Sequence, residues 1–553
     1  VLIFHLEGSY LPGGFLGVDI FFVISGYLIT SIIYKKKLDN QFSFKDFYKR
    51  RAKRILPPLF LVLLLVIVTG YIIMLPLEYY KLGIASVSVV AFIANIQYSL
   101  RTGDYFSGDS AEWPLLHTWS LSVEEQYYFI FPALLFLLIK KFPQLLNIIL
   151  TIILVLSFLL AEYMSRTKGL QSFSYYLILT RMGELLVGSK LAIYQAKGII
   201  NPTKSYLMSF AAFAGLIIML IVVNEQTVFP GFVALALCIF TAILINSRDS
   251  LTSTLLENRY FIYIGLISYS LYLFHWPVLA FIRYVVNTGI GHQSLTLPQQ
   301  LVAVVLTFSL SIFSYYAIEK PLRNIKLGGA RVGLYYFLIP TLLVSSVGAV
   351  IIYQKGVPGR LDTNSVNASY QFSHFESQEC SSFIVLGCVG GDKNSSKDIL
   401  FYGNSHGEHY FRYISELSRE FGYKTTLYAK GGCSLIANKI PCATVREEFE
   451  QALPTINPDI VVIAFRWDTS NKKAGTLSEL ASLIERVKRT ANRVVVLAQP
   501  PLLLLNPAKI ANCERLSLSC SQEIQFSEDY PGYNDIVEKV ALEVEAKGIQ
   551  AWW

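Results

Sequence analysis

At 553 residues, with 53% apolar and 14% aromatic side chains, the chain is too long for one domain and too hydrophobic for a soluble multidomain enzyme. Its net charge of +8 does not point to nucleic acid, because the excess Lys and Arg lie in short loops between apolar runs, where membrane topology accounts for them. These features describe an integral membrane protein with a polar domain appended.

The chain opens on Val1-Leu2-Ile3-Phe4-His5, with neither Met nor a charged start, which reads as an apolar span already under way and so as an amino-terminal truncation. The close, Gly548 to Trp553, reads as a cut before a new strand. No signal peptide is visible, and none is required if the first span is the insertion signal.

A bilayer crossing needs about 20 apolar residues. Windows of that kind lie near 15–34, 55–75, 122–139, 145–162, 175–195, 205–224, 229–247, 260–282, 298–318 and 332–353, besides the severed one ending at His5. A stretch at 81–100 is apolar but interrupted by Ser86, Ser88, Asn95, Gln97 and Ser99. The loop from Lys35 to Arg54 carries nine Lys and Arg against Asp39 and Asp46, which assigns it to the cytoplasm. If 81–100 does not cross, Lys140-Lys141, the loop from Lys190 to Lys204, that from Arg248 to Arg259 and Lys320 to Arg323 all return to the same side. The reading is eleven crossings, counting the truncated first, with 81–100 interfacial or re-entrant.

The last span then exits, and cysteine usage agrees. Only Cys238 precedes residue 354; Cys380, Cys388, Cys433, Cys442, Cys513 and Cys520 follow it in three short-spaced couples. Neighbour pairing is the simplest of fifteen connectivities and suits an oxidising compartment, with reduced thiols as the other reading. Metal-type CxxC spacing is absent. Residues 354–397 read as a linker without strong periodicity. From 398 the pattern predicts strands at 398–402, 423–429, 459–465 and 493–498 and helices at 408–421, 475–491 and 533–547, an α/β unit with a parallel sheet. No internal repeat is present.

Gly403-Asn404-Ser405-His406 follows the first of these strands and precedes a helix. A Ser there stands where ligands bind in open α/β sheets, with helix N–H groups ready to stabilise an oxyanion. The plainer reading is a turn and helix cap made by Asn404 and Ser405.

This segment resembles the first block of SGNH hydrolases, with Asn404 where Asp is usual. Gly431-Gly432-Cys433 is positioned like the second block and Arg466-Trp467 like the third, so the resemblance implies Ser405 as nucleophile and Gly432 and Arg466 as oxyanion donors. The family's catalytic Asp-x-x-His does not occur after residue 398 and is expected beyond residue 553. His406 and His409 are weak substitutes for it.

The first 325 residues resemble the membrane acyltransferase-3 family. The motifs are Gly17 to Leu28 (GVDIFFVISGYL), Arg51-x-x-Arg54, His117 to Gln126 (HTWSLSVEEQ), Ser268 to Pro277 (SYSLYLFHWP) and Glu319 to Arg323 (EKPLR). The fused arrangement is similar to bacterial O-antigen and surface-polysaccharide O-acetylases. It implies a polytopic α-helical membrane domain at 1–331, a further span at 332–353, the linker at 354–397 and a periplasmic, three-layer SGNH-like domain at 398–553, truncated at its end.

The resemblance implies His5 as the essential histidine, suited to take a proton from, or carry, an acyl group. Arg51 and Arg54 suit the phosphates of acetyl-CoA as donor substrate, a guanidinium binding phosphate bidentately, or else only enforce topology. Asp19, His117, Glu124 and Glu125 are supporting residues, since ionisable groups inside a membrane are costly and usually functional; Glu124 or Glu125 can alternatively serve only the helix dipole. His275-Trp276-Pro277 reads equally as a Pro-kinked packing element. The expected activity is O-acetyl transfer in the bacterial inner membrane, from cytoplasmic acetyl-CoA to a glycan acceptor such as lipopolysaccharide O-antigen, with no resident cofactor, metal or nucleic acid. Two rivals are an acetyl-esterase role for the outer domain and a transporter of acyl groups or glycan precursors.

Overall fold

The computed structural model describes residues 1–38, 41–100, 108–167, 169–201, 205–247, 251–286, 294–361, 385–431, 433–436, 442–467, 476–498 and 515–516. The chain divides into two compact units, Val1–Val366 with Asn512–Ser519, and Asn367–Ala511 with Cys520–Trp553.

The first unit is helical. Among the described residues seven helices are long and apolar enough to cross a membrane: Gly14–Lys36, Phe44–Ile73, Thr118–Lys141, Leu146–Arg166, Arg259–Val286, Leu297–Asn324 and Gly329–Tyr353. Tyr206–Val222 and Phe232–Asn246 are apolar but shorter. The window at 175–195 divides at Leu177 into Gln171–Tyr176 and Ile178–Ala196, and the second piece contains Arg181, Glu184 and Lys190. The protein is therefore a multi-pass membrane protein in which seven helices carry an unambiguous spanning pattern. The stretch 81–100 is broken as its polar residues suggest: Pro76–Val90 ends where Phe92 takes φ of 54°, and Ala94–Ser99 follows. A helix of 15 residues rises only about 22 Å, short of the roughly 30 Å hydrocarbon core.

Gly26 and Gly188 bring two helices into backbone contact. A Cβ on Gly26 would lie 1.9 Å from the Leu185 carbonyl oxygen, and one on Gly188 1.9 Å from that of Val23. Small residues allow such approach between membrane helices. Ser189 then bonds across the seam, donating to the Gly26 carbonyl at 3.1 Å and accepting from Thr30 Oγ1 at 2.8 Å.

The second unit holds a five-stranded sheet: β1 (Val385–Gly391), β2 (Asp398–Gly403), β3 (Lys424–Ala429), β4 (Ile460–Ala464) and β5 (Arg493–Val496), in the order β1-β3-β2-β4-β5. Strands β3, β2, β4 and β5 are parallel, as the alternation of strands and helices predicts. Strand β1 differs from the sequence reading, which placed no element there; it runs antiparallel to β3, with a register shift between Leu386 and Cys388 where Gly387 adopts φ of 76°. Successive β2 residues face opposite sides. Leu400 and Tyr402 pack with Phe449 of the Cys442–Ile456 helix and Leu480 of the Thr476–Val487 helix, while Ile399 and Phe401 pack with Phe411 of the Ser405–Glu420 helix. This is the expected three-layer arrangement. The helix expected at 533–547 lies outside the described residues.

Candidate functional site

Among the described residues of the helical unit, polar side chains are buried in clusters, three of which bear on the sequence motifs. The first gathers histidines. His5 is in the short Leu2–Leu6 helix, His117 caps Thr118–Lys141, and His275 lies inside Arg259–Val286, two residues before Pro277. All three are nearly inaccessible to solvent, with 6%, 2% and 2% exposure. The His5 and His275 rings stack at 5.5 Å, inclined by 28°, and His117 meets His275 edge to face at 5.6 Å. Trp276 closes over His5 at 4.5 Å, its indole N–H donating to the Trp113 carbonyl at 2.6 Å. Arg283 donates to the His5 carbonyl. The Tyr272 hydroxyl donates to the His117 carbonyl at 2.8 Å and lies 2.5 Å from Ser120 Oγ. Nε2 of His275 is buried without a hydrogen bond among the described residues.

The second cluster surrounds Arg51. Its guanidinium carbon stands 3.7 Å from the centre of the Tyr128 ring, in the charge field of Glu124 and Glu125. Glu124 accepts from Ser25 Oγ at 2.5 Å. Arg54 is exposed and faces the carboxyls of Glu124 and Glu319. Arg51 Nε and Glu125 Oε1 are buried and make no hydrogen bond among the described residues. The two clusters share one helix: from His117 to Glu125 the Thr118–Lys141 helix rises about 12 Å.

The third is an ion cluster at the start of the glycine seam. Arg181 Nη1 reaches Asp19 Oδ1 and Glu184 Oε1, each at 2.7 Å, and Nε donates to the Tyr175 carbonyl at 2.9 Å. Trp119, Tyr175 and Phe229 rings surround the guanidinium at 5.3, 4.8 and 5.0 Å. Asp19 therefore pairs helices; Arg181, which holds it, belongs to none of the motifs read from the sequence.

In the α/β unit Ser405 begins its helix directly after β2. The next strands go to opposite sides of β2, β3 to one and β4 to the other, so the carboxyl end of β2 is the topological switch point where ligands bind in open sheets. Asn404 both caps and braces: its Oδ1 accepts the His406 N–H at 3.0 Å and its Nδ2 donates to the Cys433 carbonyl at 3.1 Å. Gly403 and Gly407 allow the helix start to sit against the Ala464 carbonyl. A Cβ on Gly431 would come within 3.9 Å of Ser405 Cβ, which sets the loop after β3 beside the serine. The Cys433–Cys442 disulfide ties that loop to the next helix. Burial pushes the Glu408 carboxyl, one turn beyond Ser405, above its ordinary range, against the pull of the Gly431 amide and Lys430.

The acyltransferase domain model matches residues 1–316, more than half of the chain. The chain belongs to the acyltransferase-3 family. Residues 370–548 match the SGNH domain that occurs fused to acyltransferase-3 domains. O-acetyltransferase OatA of Staphylococcus aureus is 32% identical over 340 residues, 59% of this chain and 55% of the relative. An uncharacterized protein of Haemophilus influenzae is 39% identical over 246 residues, 42% of this chain and 98% of the relative. The chain thus spans about half the length of the curated O-acetyltransferase it matches. No solved structure matches.

In this acyltransferase-3 chain the sequence-selected residues are divided rather than assembled. His5 and His117 meet in the histidine cluster, joined by His275; Glu124 and Glu125 belong to Arg51; Asp19 belongs to Arg181. Of the oxyanion donors inferred for the SGNH part, Gly432 lies outside the described residues and Arg466 is exposed just after β4. Cys433–Cys442 bears out one neighbour pairing, and Cys388 is also disulfide-bonded, whereas Cys380, Cys513 and Cys520 lie outside the described residues. Cys238 is free and buried. The His406 backbone serves the Asn404 turn, and nothing is described of the His409 side chain.

Proposed function

We propose that the protein is an O-acetyltransferase of the bacterial inner membrane, taking acetyl groups from cytoplasmic acetyl-CoA and delivering them to a hydroxyl of a surface glycan such as lipopolysaccharide O-antigen. The observation that carries this reading is the Thr118–Lys141 helix, which carries His117 of the histidine cluster and, about 12 Å along, the two carboxylates around Arg51. Coenzyme A has that polarity: phosphates at one end, which suit Arg51 and Arg54, and a thioester at the end of a long flexible arm, which suits His5 and its neighbours.

In this reading acetyl-CoA enters from the cytoplasm, His5 assists removal of the acetyl group, and Ser405 in a periplasmic α/β domain passes it to the glycan. Ser405 attacks as an oxygen nucleophile, with the N–H groups of its own helix start as oxyanion donors. The eleven crossings read from the sequence fit such a transfer. The O-acetyltransferase name of the Staphylococcus aureus relative supports the reaction type.

Membranes carrying the full-length protein, supplied with radiolabelled acetyl-CoA, test the reading by comparing wild type with Arg51→Ala, His5→Ala and Ser405→Ala. Loss of label from the glycan in all three supports the relay. Label that survives Ser405→Ala removes the α/β domain from the transfer, and acetate release from acetylated glycan by that domain replaces transfer with hydrolysis.

A further inference from the structure

We propose that His275 is a catalytic residue of the membrane domain, a general base that takes the proton from the hydroxyl that first receives the acetyl group from acetyl-CoA, ahead of the transfer through Ser405. The proposal rests on the acetyl-transfer reading above and adds the identity of the proton acceptor. His275 Nδ1 lies 2.6 Å from the Tyr272 carbonyl oxygen, three residues earlier on the same helix. A carbonyl oxygen only accepts, so Nδ1 carries the hydrogen, and in the neutral ring Nε2 is then the lone-pair nitrogen. That nitrogen is buried in a side chain 2% exposed, and among the described residues nothing donates to it. A buried acceptor without a donor is unfavourable unless a partner arrives.

The neighbouring rings do not supply that partner. His5 stacks on His275 at 5.5 Å with the planes inclined by only 28°, and imidazole N–H bonds lie in the ring plane, so the two rings do not exchange a proton face to face. His275 instead keeps its Nε2 edge for the acceptor. His117 stands 5.6 Å from His275, edge to face, and Tyr272 and Ser120 complete the polar wall. Pro277 has no N–H to donate to the Leu273 carbonyl, which loosens the helix at the turn that displays His275. Among the described residues no group of three or more His, Cys, Asp or Glu is arranged to hold a metal ion.

The incoming alcohol gives its proton to His275 Nε2 as its oxygen forms a bond to the thioester carbon. The tetrahedral intermediate collapses, the carbon–sulfur bond breaks, and the coenzyme A thiolate takes the proton back from Nε2. His275 ends as it began.

The test uses the full-length protein in membranes with acetyl-CoA as donor, comparing wild type, His275→Asn and His275→Ala. Asn places an amide N–H where Nδ1–H stands, so it keeps the Tyr272 contact and lacks a base. The expected result is a loss of kcat of about 100-fold or more with KM for acetyl-CoA unchanged, and partial recovery of His275→Ala on adding imidazole. Transfer by His275→Asn within a few-fold of wild type, or a loss in both variants that imidazole does not relieve and that tracks a lowered unfolding temperature, overturns the proposal. A wild type that takes no label from acetyl-CoA instead overturns the reading on which it rests.

Discussion

Arg51 lies over Tyr128, its guanidinium carbon 3.7 Å from the ring centre, while its Nε stays buried without a hydrogen bond among the described residues. Stacking fixes the plane of the guanidinium and leaves its edge for a planar or tetrahedral anion. Lysine can neither stack in that way nor present a fork. Arg51→Lys is therefore expected to raise KM for acetyl-CoA by roughly tenfold to a hundredfold, the equivalent of one lost charged hydrogen bond, with the amount of folded protein unchanged. Steady-state kinetics in membranes check this, and an unaltered KM removes Arg51 from donor binding.

Arg181 holds two carboxylates inside the bundle, with every member of the trio at 1% exposure or less. Removing the cation leaves Asp19 and Glu184 without compensation, so Arg181→Met is expected to cost about 3–5 kcal/mol. The triple change Arg181→Met, Asp19→Asn, Glu184→Gln is expected to recover much of that loss. Thermal unfolding in detergent distinguishes the two variants.

Asn404 gives a substitution with a pH signature. An aspartate there keeps an acceptor for the His406 N–H but sets a carboxylate oxygen against the Cys433 carbonyl, where the amide N–H now donates at 3.1 Å. Asn404→Asp is expected to lower stability by about 1–3 kcal/mol, and to do so less at pH 5 than at pH 8, because a protonated carboxyl can again donate to Cys433. The repelled carboxylate has a raised folded-state pKa, so stability is lost as pH rises through it. Unfolding temperatures at the two pH values measure the effect.

On the face of the α/β unit opposite the Ser405 helix, Glu479 accepts from Arg486 at 3.1 Å and from Arg446. Burial acts to raise its pKa, but these bonds and charges win and hold the carboxyl below its ordinary range. A depressed carboxylate stabilises the fold above its unfolded pKa, near 4.3 for Glu, and the benefit is lost as pH falls through the folded value. The pair is partly exposed, so the effect is about 1 kcal/mol or less. Glu479→Gln is expected to lower the unfolding temperature at pH 7 and to approach wild type as pH falls through the depressed folded value, as a pH series of melting curves would show.

The elements that carry local patterns were legible in the sequence. Apolar runs marked the long helices, and β2 to β5 fell within a residue or two of their expected limits because each is short, apolar and bounded by polar turns. Strand β1 was not legible: Val385-Leu386-Gly387-Cys388-Val389-Gly390-Gly391 has a bulge and three glycines, and so lacks a period of two. Motifs identified His5, Arg51, His117, Glu124 and Ser405, yet gave no grouping. His5 and His275 are 270 positions apart, and Asp19 and Arg181 are 162 apart, so only tertiary packing brings them together. The signal that could have found Arg181 was a cation and an anion three residues apart within an apolar helix, which invites a search for a further carboxylate to balance it.

The glycine seam has a mechanical consequence. With the Gly26 and Gly188 α-carbons pressed against carbonyl oxygens of the opposite chain segment, neither helix can roll or slide without collision, and the Arg181 ion cluster pins the same pair at one end. Gly17–Leu38 and Ile178–Ala196 thus form a fixed keel. On the acetyl-transfer reading proposed above, any opening that admits a donor or releases a product has to come from the helices arranged around it.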